Sequence, residues 1–66
     1  MAKRTVEAGQ RFRDIRRSVA SEWIVEAVQT NANGIRHARI VSAADPSERK
    51  TLAVEVLRDP ARFEEV

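Results

Sequence analysis

The 66-residue chain has no cysteine and no tyrosine, only two glycines, two prolines and one histidine, and three aromatic residues. Without cysteine there is no disulfide, no thiolate metal site and no cysteine nucleophile. A lone histidine, His37, excludes a multi-histidine metal centre, and its sequence neighbours are arginines rather than carboxylates that would orient a catalytic base. Gly9 and Gly34 are too few for a glycine loop that cradles phosphate. Ser18, Ser21, Ser42 and Ser47 lack the Gly-x-Ser-x-Gly context of an activated serine. Missing tyrosine argues against a groove for proline-rich peptides, which surround a tryptophan with tyrosines. No apolar run approaches the roughly 18 residues that cross a bilayer as a helix, and no secretory segment follows Lys3-Arg4. These absences lead to the expectation of a non-enzyme with no metal, no cofactor and no membrane contact, in the cytoplasm if the source is bacterial.

What is present is a soluble globular composition, 42% hydrophobic and 33% charged. Ten of the hydrophobic residues are alanine, so eighteen larger ones must build the core. A chain of this length buries about 60% of its unfolded surface, and its stability is correspondingly small. The isoelectric point near 9.9 overstates its basicity. Ten of the twelve bases are arginine, which does not titrate below about pH 12, so a formal charge of only +2 persists to high pH. Its distribution says more. Residues 1–20 carry six bases and two acids, whereas residues 21–66 carry six bases and eight acids.

Valine and isoleucine number twelve against two leucines, which favours sheet over helix. Asn33-Gly34 suits a tight turn, because both residue types tolerate positive φ. Apolar segments from Trp23 to Val28 and from Ile35 to Val41 flank it as the arms of a β-hairpin. A third strand is expected at Thr51 to Leu57, where Leu52, Val54 and Val56 alternate with Thr51, Ala53 and Glu55. Residues 44–50 form a polar turn in which Asp45 caps and Pro46 takes the first position. Asp59-Pro60 repeats the device and implies a short 3₁₀ or α turn before a last strand at Phe63 to Val66. In the hairpin, burying alanine is cheaper than burying arginine, so Ala38 and Ile40 face the core. Ile35, Val41 and Val19 are then partly exposed, which fits either an aliphatic patch for a subunit contact or scattered surface apolar area. Two readings fit the N-terminal third. Phe12, Ile15, Val19, Trp23 and Ala27 match helical spacing, but a strand over Gln10 to Ile15, with a loop to Glu22, leaves the hairpin arm intact and is preferred.

The expected fold is therefore all-β: a small five-stranded barrel over 10–66 behind a flexible lead-in at 1–9. The alternative is an α+β fold with an N-terminal helix packed on a three-stranded meander. The succession Gly9-Gln10-Arg11-Phe12, Trp23-Ile24-Val25, Gly34-Ile35-Arg36-His37-Ala38-Arg39-Ile40, Asp45-Pro46, Lys50-Thr51-Leu52 and Arg62-Phe63 resembles small, mostly uncharacterised SH3-like barrel proteins of bacteria. The resemblance spans about residues 9–66 and rests on packing and turn features. It implies the barrel and no activity, since SH3-like barrels bind peptides, nucleic acids or other subunits.

One feature has functional reach. On a strand, Arg11 and Arg13 share a face while Phe12 points inward, and Arg16 and Arg17 follow in the loop. Four guanidiniums of this kind can hold phosphates or a carboxylate-rich partner. With Phe12, Trp23 and Phe63 all needed in the core, no aromatic platform remains for stacking bases. The leading expectation is an interaction barrel that binds a protein partner through a face or an edge. The second is a weak, sequence-independent nucleic-acid binder using Arg11, Arg13, Arg16 and Arg17.

Overall fold

The computed structural model describes residues 5–16 and 21–66. Its elements are β1 (Arg11–Asp14), β2 (Ser21–Thr30), β3 (Arg36–Ser42), β4 (Arg49–Ala53), α1 (Val54–Leu57) and β5 (Phe63–Glu65). The strands form one antiparallel sheet in the order β4-β3-β2-β1-β5. The chain is thus mostly β, with one short helix. Arg11–Asp14 is a strand paired with Ser21–Ile24, so no helix starts at Phe12. The expected loop from 16 to 22 gives way to strand at Ser21, and Val19 lies outside the described residues. Among the described residues no helix is long and apolar enough to cross a membrane.

The β2–β3 hairpin forms as expected, but with different turn chemistry. Gly34 alone takes positive φ (79°), and Asn33 does not. A turn closes by Gly34 N–H to Asn31 O at 3.0 Å, and the Asn31 side-chain oxygen accepts the N–H groups of Asn33 and Ile35. Asn31 therefore organises a five-residue connection, and glycine supplies the left-handed residue at its end. Asp45 acts as the sequence indicates. Its carboxylate accepts the Ser47 hydroxyl (2.7 Å) and Ser47 N–H (3.1 Å), which hold its pKa below the ordinary 3.8. A depressed carboxyl pKa stabilises the fold above the unfolded-state value, and that contribution is lost as pH falls through the folded one. A carboxyl-carbon NMR titration should find the Asp45 midpoint below 3.8, and Ser47→Ala should raise it; a midpoint unmoved by that change would refute the hydroxyl's role.

Two strand boundaries need correcting. β4 starts at Arg49, within the stretch expected to be turn, and ends at Ala53. Val54–Leu57 is a helical turn that buries Val54 and Leu57, three residues apart, rather than Val54 and Val56. Strand alternation and helical spacing share Val54, and packing of Leu57 decides between them. After α1, Asp59 O accepts both Arg62 N–H and Phe63 N–H at 3.0 Å, while its side chain accepts Ala61 N–H. This is the expected Asp-Pro turn before the last strand.

The core collects Phe12 from β1, Trp23 and Val25 from β2, Ala38 and Ile40 from β3, Val54 and Leu57 from α1, Phe63 from β5, and Val6. Ala38 and Ile40 are fully buried, as their parity requires. Val6 is 2% exposed, so the packed unit reaches back into the stretch read as a lead-in, whose residues 1–4 lie outside the described ones. In β2 the register slips between Val25 and Ala27, leaving Glu26 as a bulge. Upstream of it Trp23 and Val25 face the core. Downstream, Val28 packs against the core opposite Ala38. The bulge thus reverses the parity of the strand.

Candidate functional site

The sheet presents its outer face to solvent, and that face carries most of the charged residues that lie in strands. Arg11 and Arg13 share it, as strand alternation demands, but each meets a carboxylate from another strand. Arg13 reaches Glu64 of β5 at 2.8 Å, and Arg11 lies 3.6 Å from Glu22 of β2. Exposed pairs of this kind add little stability, but they halve the positive field that linear proximity suggests. Arg16 is exposed in the turn after β1, where its N–H donates to the buried Asp14 carboxylate at 3.0 Å. Arg17 lies outside the described residues. The described arginines thus divide into two on the sheet face, each with an acidic neighbour, and one beyond the strand end.

Of the aliphatic residues expected at a contact, Ile35 is 51% exposed and Val41 half-buried. Six residues of strand separate them by about 20 Å, so they do not form one patch. His37 is half-buried, with its Nδ1 3.3 Å from the Ile35 carbonyl. Among the described residues, no three His, Asp or Glu side chains gather closely enough to hold a metal ion.

Two features escape linear reading. The first is a groove of about 520 Å³ beside β5. Val6, Phe12, Leu57 and Phe63, all nearly buried, line its depth, and the exposed Pro60 stands at its margin. β5 is an edge of the sheet, and among the described residues it pairs only with β1. An apolar depression therefore runs beside the last strand in the sheet order. Its residues come from four separate stretches of sequence, which no local pattern connects.

The second lies on the outer face of β2, β3 and β4. Arg49 of β4 is opposite Val41, two positions from Arg39 on β3, so the two arginines are diagonal neighbours. The bulge places Glu26 between them: its two carboxylate oxygens each lie 3.3 Å from an Nε, one of Arg39 and one of Arg49. Both arginines remain more than half exposed. A signal for this site existed in the sequence, since residues 36–42 and 49–53 contain four bases and no acid. Reading Arg49-Lys50 as turn hid it. No protein-family model, curated protein or solved structure matches the chain, so the geometry alone must carry the functional reading.

Proposed function

We propose that the chain is a non-catalytic interaction module on an SH3-like barrel, which takes an extended, apolar segment of a partner protein along β5. The barrel reading is supported by burial. Among the described residues, α1 and the segment around Val6 lie against the shielded inner faces of β1, β2, β3 and β5, which fits a sheet that coils over itself. The bulge at Glu26 favours that bend, because an extra residue on one strand increases local twist. The observation that carries the function is the apolar groove beside the last strand of the sheet order. A strand at the end of the sheet order is where a partner strand extends a sheet, and the adjoining apolar depression can receive its side chains. The second reading, nucleic-acid binding through Arg11, Arg13, Arg16 and Arg17, is weakened by the carboxylates of Glu22 and Glu64 beside the first two.

A benzophenone side chain at position 60 tests the assignment by photo-crosslinking in the source cell. It should yield a discrete protein adduct that the same group at position 32, on the hairpin tip, does not. Identical adducts from both positions, or none from position 60, would remove the groove as the docking site.

A further inference from the structure

We infer that the Arg39–Arg49 pair, held in place by Glu26, is a receptor for a phosphate oxyanion. The inference is independent of the β5 groove and uses the other half of the sheet. Glu26 engages only the two Nε positions. Among the described residues no other hydrogen bond or ion pair engages either guanidinium, and both side chains are more than half exposed. Each guanidinium carries five donors in a rigid plane, and aligning two of them is the costly part of binding a tetrahedral oxyanion. Glu26 does this in advance. It is there because the bulge gives β2 one residue more than its partner, turning a carboxylate into the gap between strands β3 and β4.

The surroundings fit phosphate. Glu26, Arg39 and Arg49 line a depression of about 420 Å³. Arg39 also borders a smaller one of about 60 Å³ beside Gln29, His37 and Thr51, whose side chains supply hydrogen-bonding groups. Arg36 and Lys50 of the same two strands alternate to the other face, where the first donates to Val6 O at 3.4 Å and the second lies over the Trp23 ring, so Arg39 and Arg49 supply the charge of this site. A protein partner is less well served. Tight protein interfaces centre on a large apolar or aromatic anchor, and the apolar residues on this face are Ile24, Ala27, Val41 and Ala53, all half-buried. Phosphate contacts need no such anchor, because released counterions supply the affinity. Free phosphate and the phosphodiester backbone of a single strand share this chemistry.

The test is a backbone-amide NMR titration of the whole chain with three probes: inorganic phosphate, a 12-nucleotide oligouridylate and polyglutamate. Oligouridylate should shift the amides of residues 37–39 and 49–51. With two phosphate contacts its affinity should fall about sevenfold from 50 to 200 mM salt, and Arg39→Ala or Arg49→Ala should halve the logarithmic slope. Glu26→Gln leaves an accepting oxygen for only one of the two Nε groups, releases the other guanidinium and should weaken binding about two- to fivefold. Glu64→Gln changes net charge equally on the far side of the sheet and should leave affinity unchanged. A response to inorganic phosphate alone also supports the site, with free phosphate as its source. Tightening by both Glu26→Gln and Glu64→Gln would show general charge rather than a site. An equal response to polyglutamate would reassign the face to an acidic protein, and silence with both phosphate probes would overturn the inference.

Discussion

Replacing Leu57 with alanine should destabilise the protein by about 2–5 kcal/mol, while Val56→Ala should cost about 1 kcal/mol. The contrast follows from α1. Leu57 is 1% exposed within the core, whereas Val56 is half-buried at its margin. Had the strand run on to Leu57 with Val54 and Val56 inward, the order of the two effects would reverse. Urea unfolding of both variants decides the matter, and a Val56→Ala cost equal to that of Leu57→Ala would refute the helical turn. The size matters because a 66-residue domain has about 3–10 kcal/mol in total. Loss of the Leu57 side chain removes a large fraction of that.

Phe63→Ala should be at least as damaging, about 3–5 kcal/mol, for a reason particular to β5. That strand has three residues, and Phe63 is the one that is buried. Its side chain joins the last strand to Phe12 and Leu57 in the core cluster. Without it, the backbone bonds at either end lose their support: Ile15 N–H to Arg62 O at 2.9 Å, and Val66 N–H to Arg11 O at 3.0 Å. Amide exchange at Ile15 and Val66 should accelerate more than exchange in the β2–β3 hairpin at matched temperature. Val66→Ala, at a side chain 59% exposed, should stay within about 0.5 kcal/mol of the parent. Uniform acceleration across the sheet would show that β5 opens only with the whole molecule.

The hairpin, its inward residues and both Asp-Pro turns were legible because their causes are local. Asn31 and Gly34 organise the turn within five residues, and burying Ala38 rather than Arg39 follows from desolvation cost. The end of β4 was not legible, because Leu52, Val54 and Val56 satisfy a strand as well as Val54 and Leu57 satisfy a helix. Only the room available beside Phe63 and Val6 selects the helix. The arginine cluster shows the same division. Alternation alone places Arg11 and Arg13 together, but the partner of Arg13 lies 51 residues away on β5. A charge count along the chain has no access to pairing at that separation. The Glu26 site required the bulge, and a strand of ten residues carries no mark of where its extra residue lies.

That extra residue makes β2 two half-strands written in opposite phase. Before Glu26 the odd positions, Trp23 and Val25, face inward; after it the inward residue is Val28. Glu26 is thus a reading-frame shift at the level of the pleat. Deleting it would rejoin the frames with Val25 and Val28 both still inward, whereas a regular ladder that kept Glu26 would carry Val28 to the solvent side and turn Ala27 and Gln29 toward the core. Changes in length upstream of the bulge and downstream of it are therefore not equivalent to one another, and the sheet can adjust the end that holds Trp23 without re-aiming the end that holds Val28.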